Sequence, residues 1–277
     1  MAGLRGMNAK VRSGVWAWGL LAAATAQAGC SRPVEVPLAP VGVSVSFDAE
    51  RIVGLYPTLL RELGAAHGCE FKMHRVPRAR QQQMFESGQA DLLLPAAHAP
   101  SRDLHGEFVP LVQVRASLVT LQRERQVPRS LAELLARRGY KLAVIRSFTY
   151  GPAYDQAVAT LRAQHRLVEE PDAAGVARAL RQGLAQGTVM TASILIATLA
   201  QEADLAPLAR QVHVEPLVEL DWGESGVYLS RHSLNDADRL ILRTALKQAA
   251  KSGRVWQLFN DNYPAGSLNG SARPLPP

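Results

Sequence analysis

The run Asp91-Leu-Leu-Leu94 constrains this chain more than any other feature. It is apolar without alternation, the pattern of a strand covered on both faces, and such strands belong to sheets flanked by helices. Upstream, Gly88 supplies the left-handed residue that stops a helix. Downstream, the loop His98-Ala-Pro100-Ser-Arg102 carries an arginine past the strand's carboxyl end, where open α/β sheets bind ligands. A guanidinium there either takes a carboxylate through two parallel hydrogen bonds or is an ordinary surface arginine on a βα loop.

The remaining chain alternates strand and helix. Pro57 opens a helix over 58–66, with Leu55, Leu59, Leu60 and Leu63 on one face and Gly68 past its end. Pro77 opens the helix that stops at Gly88. Ser130-Leu-Ala-Glu133 is a capping box. Strands are expected at 116–121, 141–145, 212–218 and 226–230, and near 188–191 before a helix start. A long helix is expected over 233–251, closed by Gly253 ahead of 255–263. The tail 265–277, with Pro274, Pro276 and Pro277, is expected to be disordered.

The first residues read as an export signal. Arg5, Lys10 and Arg12 form a basic start, residues 15–24 a short apolar stretch, and Ala26-Gln-Ala28 a small-x-small cleavage site. The apolar stretch is too short to span a bilayer as a helix. The full chain carries a net charge of +7. Without the three signal cations about +4 remains, with no block of like charges, so nucleic acid is not an expected partner.

An exported chain meets an oxidising compartment, which gives its two cysteines meaning. Cys30 stands just before the expected first strand, near 34–38, and Cys69 just before the second, near 71–76. As parallel neighbours in a doubly wound sheet these strands bring both thiols to one edge. A bridge there would stabilise by about 4 kcal/mol on the chain-entropy model. The alternative is a lipidated Cys30, which Ala28 and Gly29 suit but Gln27 does not.

Strand–helix alternation implies parallel sheets with helices on both faces, and roughly 230 ordered residues exceed one comfortable core. Two lobes are therefore expected: residues 30–120 with 219–264, and residues 121–218. The polar stretch 122–129 and the segment Glu219-Leu-Asp-Trp-Gly223 are the crossing points. A double crossover makes a hinge with a cleft between the lobes.

From about Arg32 to Pro264 the chain resembles bacterial extracellular solute-binding proteins of family 3, the polar amino-acid type. Val76-Pro-Arg-Ala-Arg80, Glu86-Ser-Gly88 and Asp91 are similar to the family's Pro-x-x-Arg, glycine and aspartate pattern. Pro100-Ser-Arg102 matches its Pro-x-Arg ligand loop, and Glu107-Phe-Val-Pro110 the Phe-x-x-Pro that follows. The resemblance implies a two-lobed periplasmic binding protein-like II fold, each lobe a mainly parallel sheet flanked by helices. It also implies a periplasmic monomer, without cofactor, that captures a small-molecule solute in the cleft for the membrane permease of an ABC-type transporter. A ligand-sensing partner of a signalling receptor, or a secreted dehydratase-like enzyme, is the alternative on the same fold.

Two departures bear on the solute. Family members that hold amino acids place Thr where this chain has Ala99, and an aspartate in the second lobe where residues 187–193 contain no acid. An ammonium in a closed cleft needs a desolvated counter-charge. The cleft is therefore expected to prefer an anionic or neutral-headed carboxylate, unless Glu219, Asp221 or Glu224 turns inward. Arg102 is the expected anion anchor, with Arg80 beside it and Ser147 and Thr149 at a helix start able to hold an anion. Tyr56 and Trp222 are candidate aromatic walls, and Thr191 a candidate neutral hydroxyl. Metal-ligand spacings, a Gly-x-Ser-x-Gly elbow and a Walker loop are missing from the sequence, so catalysis is not expected.

Overall fold

The computed structural model describes residues 1–3, 29–48, 51–121 and 126–276. The expected export signal, residues 1–28, lies outside them but for its first three residues.

The chain begins with β1 (Val34–Leu38), β2 (Ser46–Asp48), β3 (Arg51–Val53), α1 (Leu55–His67), β4 (Phe71–Arg75), α2 (Arg78–Glu86), β5 (Leu92–Ala97), α3 (Pro100–Asp103) and β6 (Gly106–Val114). Strand β1 pairs with β4 in parallel, Val34 opposite Phe71. The Asp91 amide donates to the Glu35 carbonyl at 2.9 Å and so joins β5 to their edge. Helix α1 buries Leu55, Leu59, Leu60 and Leu63 and stops at Gly68 in the left-handed region. The leucine run does what its lack of alternation requires. Leu92 and Leu94 enter the core under α1, while Leu93 packs with Phe85 and Tyr228 under α2.

The chain then builds the second lobe from β7 (Ala116–Thr120), α4 (Leu131–Ala136), β8 (Leu142–Ile145), α5 (Pro152–Ala163), β9 (Leu167–Glu170), α6 (Ala173–Arg181), β10 (Gly187–Thr191), α7 (Ala192–Gln201) and β11 (His213–Pro216). Their sheet has the order β11-β7-β10-β8-β9. Two apolar clusters, one on each face, hold it between helices. The capping box forms, with the Ser130 hydroxyl accepting from the Glu133 amide. The chain returns through β12 (Gly223–Ser230), α8 (Asp236–Lys251), α9 (Arg254–Asn262) and β13 (Ala272–Pro274). In the first lobe the parallel pair β1-β4 stands beside an antiparallel sheet of order β13-β6-β12-β5, whereas the second-lobe sheet is mixed, with β7 antiparallel to β10 and β11 and β8 parallel to β9 and β10. The antiparallel pairs follow from the double crossing, which sends one hinge strand out and the other back.

Two boundaries differ from the sequence reading. Strand β7 belongs to the second sheet, so the outward crossing is at Arg115 rather than after 120. Arg115 ties the crossings together, donating Nε to the Leu220 carbonyl at 3.1 Å. The tail is also ordered where disorder was expected. Ala272–Pro274 pairs with β6, and Leu268 and Ala272 enter the first core. Without this segment β6 would be an open edge beside the hinge, and an edge strand tolerates the proline at 274.

Cys30 and Cys69 are bonded, with Cα atoms 4.8 Å apart, across the shared edge of β1 and β4. Mass-tagging of the folded protein should find no free thiol. Reduction should lower its melting temperature, in line with about 4 kcal/mol for a loop of this length; an unchanged melting temperature would refute that role.

Asp91 is the buried ionic joint of the first lobe. It accepts from Arg32 through both oxygens, at 2.7 and 2.8 Å, and from the Glu35 amide at 2.8 Å. Burial pushes its carboxyl up, but hydrogen bonds from Arg32, Ser233 and the Glu35 amide hold it below its ordinary value. A depressed folded-state pKa stabilises fully above the unfolded value, about 3.9, and that stability is lost as pH falls through the folded one. Asp91→Asn should cost about 1–3 kcal/mol at neutral pH. In urea unfolding its gap to wild type should close at acid pH.

Candidate functional site

Arg102 reaches the cleft because β5 ends at Ala97 and α3 turns at once. Ala99 is extended at the turn's start, with Pro100 at its first helical position. The Tyr228 hydroxyl accepts from the Ala99 amide at 2.9 Å and donates to Asp103 at 2.8 Å, which fixes α3 against β12. Arg102 thus sits on a helical turn rather than a loop, and it is only 3% exposed. Its Nε donates to Gln82 at 3.1 Å and its Nη1 to the Ala97 carbonyl at 2.9 Å. Its Nη2 crosses to the second lobe, donating to the Ser147 carbonyl at 3.2 Å.

A second guanidinium lies beside it. Arg78, the first residue of α2, is 4% exposed and donates Nη1 to Gln81 Oε1 at 2.7 Å. Gln81 is held in that orientation because its amide nitrogen donates to the carbonyls of Pro37 and Leu94. Across the cleft Arg78 stands 5.3 Å from the centre of the Phe148 ring, a cation–π contact. Its buried Nε has no partner among the described residues. Burial, and then repulsion from Arg102, pull the Arg78 guanidinium down to about 9. Arg78 therefore stays charged at neutral pH, and burial lowers Arg102 as well.

These residues line a cavity of about 60 Å³ with Phe148, Thr149, Tyr150, Thr191 and Ile194 of the second lobe. The Ser147 backbone is left-handed (φ 64°), which aims its carbonyl at Arg102 while its side chain stays exposed. Thr149 donates to Asp155 at 2.8 Å. The Thr191 amide donates to the Tyr150 hydroxyl at 3.3 Å. Burial raises Tyr150 to about 12, so it remains a neutral phenol.

Among the described residues no carboxylate lines this cavity, but acids stand next to it. A larger chamber of about 200 Å³ shares Ala97, Val114 and Tyr150 with the first and is lined by His98, Asp221 and Glu224. Of the three hinge acids, Glu219 instead accepts from the Leu131 amide at 2.8 Å and so caps α4.

Four expected site residues do not line the cavity: Ser147, which meets Arg102 only through its carbonyl, and Arg80, Trp222 and Tyr56. Arg80 is exposed and donates to Gln83 and Gln89. Trp222 lies under Arg273 (4.1 Å to the ring centre) in the groove made by the tail. Tyr56 is buried in the first-lobe core and does not line the cavity. Arg78 went unnoticed because Arg80 matches the Pro-x-x-Arg spacing. Helical phase carried the signal: residues 78, 81 and 85 share one face, and Phe85 is apolar. Arg80 falls on the opposite side.

The fold is that of a two-lobed periplasmic binding protein. A histidine kinase sensor domain with similarity to periplasmic binding proteins matches it with a TM-score of 0.65 at 17% identity, over 83% of this chain and 96% of that one. A mutant of ArgBP from T. maritima matches with a TM-score of 0.66 at 16% identity, over 83% and 94%. The ancestral amino acid-binding protein AncCDT-1, a precursor of cyclohexadienyl dehydratase, matches with a TM-score of 0.65 at 16% identity, over 84% and 95%. No protein-family model matches the sequence, and no curated protein matches it either.

A buried charge without a counter-charge destabilises the protein that carries it. Replacing Arg78 by methionine, which fills similar space, should therefore stabilise the ligand-free protein by about 1–4 kcal/mol in urea unfolding. A loss of stability would mean that Arg78 is a structural strut.

Proposed function

We propose that this protein is a periplasmic solute-binding protein of family 3, acting as a monomer. It closes its lobes over a small carboxylate-bearing solute, an amino acid or organic acid, and presents it to the permease of an ABC-type transporter. The observation that carries this reading is Arg102, a buried guanidinium that faces a cavity between the lobes and bonds to both. A carboxylate entering the cleft finds donors already in place, so binding and closure reinforce each other. Arg102 is the anchor; Thr149, Thr191 and Tyr150 offer neutral polar contacts. Asp221 and Glu224 are solvated, so they demand no cation in the way the buried arginines demand an anion. The preference is for anionic carboxylates over cationic amino acids.

A sensing role is the second reading, supported by the likeness to a histidine kinase sensor domain. Deleting the gene separates the two: a transport protein's loss abolishes solute uptake, whereas a sensor's loss removes only the transcriptional response. The likeness to a dehydratase precursor makes product analysis after incubation with the solute the control for catalysis.

Calorimetry tests the anchor. Arg102→Ala should weaken binding of the cognate carboxylate by about 2–5 kcal/mol, because the anion is left desolvated and unpaired. Arg102→Lys should restore only part, since the two-pronged donor is lost. Wild-type affinity in the alanine variant would refute the site, and so would tight binding of lysine or arginine with no response to any simple carboxylate.

A further inference from the structure

Arg78 asks for more than a single carboxylate. Two guanidiniums stand against one small cavity, and each is at least nine-tenths buried. Arg102 feels the carboxylates of Asp155 and Glu86, both exposed and outside the cavity wall. The groups that perturb Arg78 include no carboxylate at all, only Arg102 and the neutral Tyr150. Its counter-charge is not supplied by another described residue through an ion pair, and its Nε is an unmet donor. Gln81, itself locked by two backbone carbonyls, holds the guanidinium in place rather than letting it swing to solvent. A singly charged carboxylate on Arg102 would leave this second positive charge dehydrated and uncompensated when the lobes close.

Resting on the solute-binding reading above, we infer that the group this cleft receives carries two negative charges, with Arg102 and Arg78 each taking one share. Paired carboxylates and a phosphoryl group both satisfy that demand. Their shared chemistry is a compact dianion with at least three acceptor oxygens. The Arg78 Nε supplies a donor that is idle without such a ligand, and the Phe148 ring keeps its other face dry.

Calorimetry on the mature protein, with succinate, inorganic phosphate and butyrate as probes, decides it. Either dianion should bind at least 30-fold more tightly than butyrate, about 2 kcal/mol; which of the two does so separates the dicarboxylate source from the phosphoryl one. Arg78→Gln should weaken the preferred dianion at least tenfold more than it weakens butyrate, so that most of the preference is lost. Arg78→Lys, which keeps the charge, should retain part of it and serves as the check that the site still folds. Equal affinity for butyrate and the dianions, with Arg102→Ala still damaging, overturns the dianion inference and leaves the carboxylate reading standing. No binding of any of the three probes, with thermal shifts instead from cationic or neutral solutes, overturns both.

Discussion

A charged group shut between two lobes is the constraint on which this structure depends. Arg102 is held by Gln82 and the Ala97 carbonyl on one side and by the Ser147 carbonyl on the other. None of these partners neutralises it. Arg78 adds a second dehydrated charge that repels the first. Apolar residues would make a more stable wall, so the site opposes folding and the rest of the molecule offsets it. The first lobe does so with a core gathered under α1, α8 and α9, a disulfide at its edge, and the Arg32–Asp91 joint at the root of β5.

The same contacts join the two lobes across the cleft. The loop after β1 meets α7 at Gly42, whose backbone is left-handed. A side chain there would begin 3.2 Å from the Ile194 carbonyl. Two further contacts cross the cleft, Arg102 with Ser147 and Arg78 with Phe148. The crossings are tied by Arg115 and Leu220, which leaves rotation about the hinge as the natural motion. On the proposed reading, occupying the cavity and closing the hinge are coupled through the two arginines, since an anion that engages them also relieves their repulsion.

Much of this was legible in the sequence for local reasons. The leucine run, Gly88 and the Ser130 capping box each encode one element through short-range stereochemistry, and each element forms. The disulfide was legible because parallel neighbouring strands bring their starts to one edge. What local pattern cannot encode is which side of a polar helix faces a neighbour. α2 reads Arg-Ala-Arg-Gln-Gln-Gln, and only Phe85, a full two turns on, reveals that Arg78 and Gln81 face inward and Arg80 outward. The tail misled for a related reason. Its prolines suggest disorder, but β6 needs a partner, and that need arises from an edge the tail's own residues do not show. Asp221 and Glu224 were visible as hinge acids; their place beside the cavity depends on how the returning strand pairs with β5 and β6.

A crystal structure of the protein with the carboxylate or phosphoryl solute selected by titration is the most direct measurement. The expected result is a closed cleft with anion oxygens about 2.7–3.2 Å from the guanidinium nitrogens of Arg102. A solute seated elsewhere, for example in the groove beside Phe47 and Gln201, with Arg102 still bonded only to protein, would contradict the assignment of this cleft as the binding site.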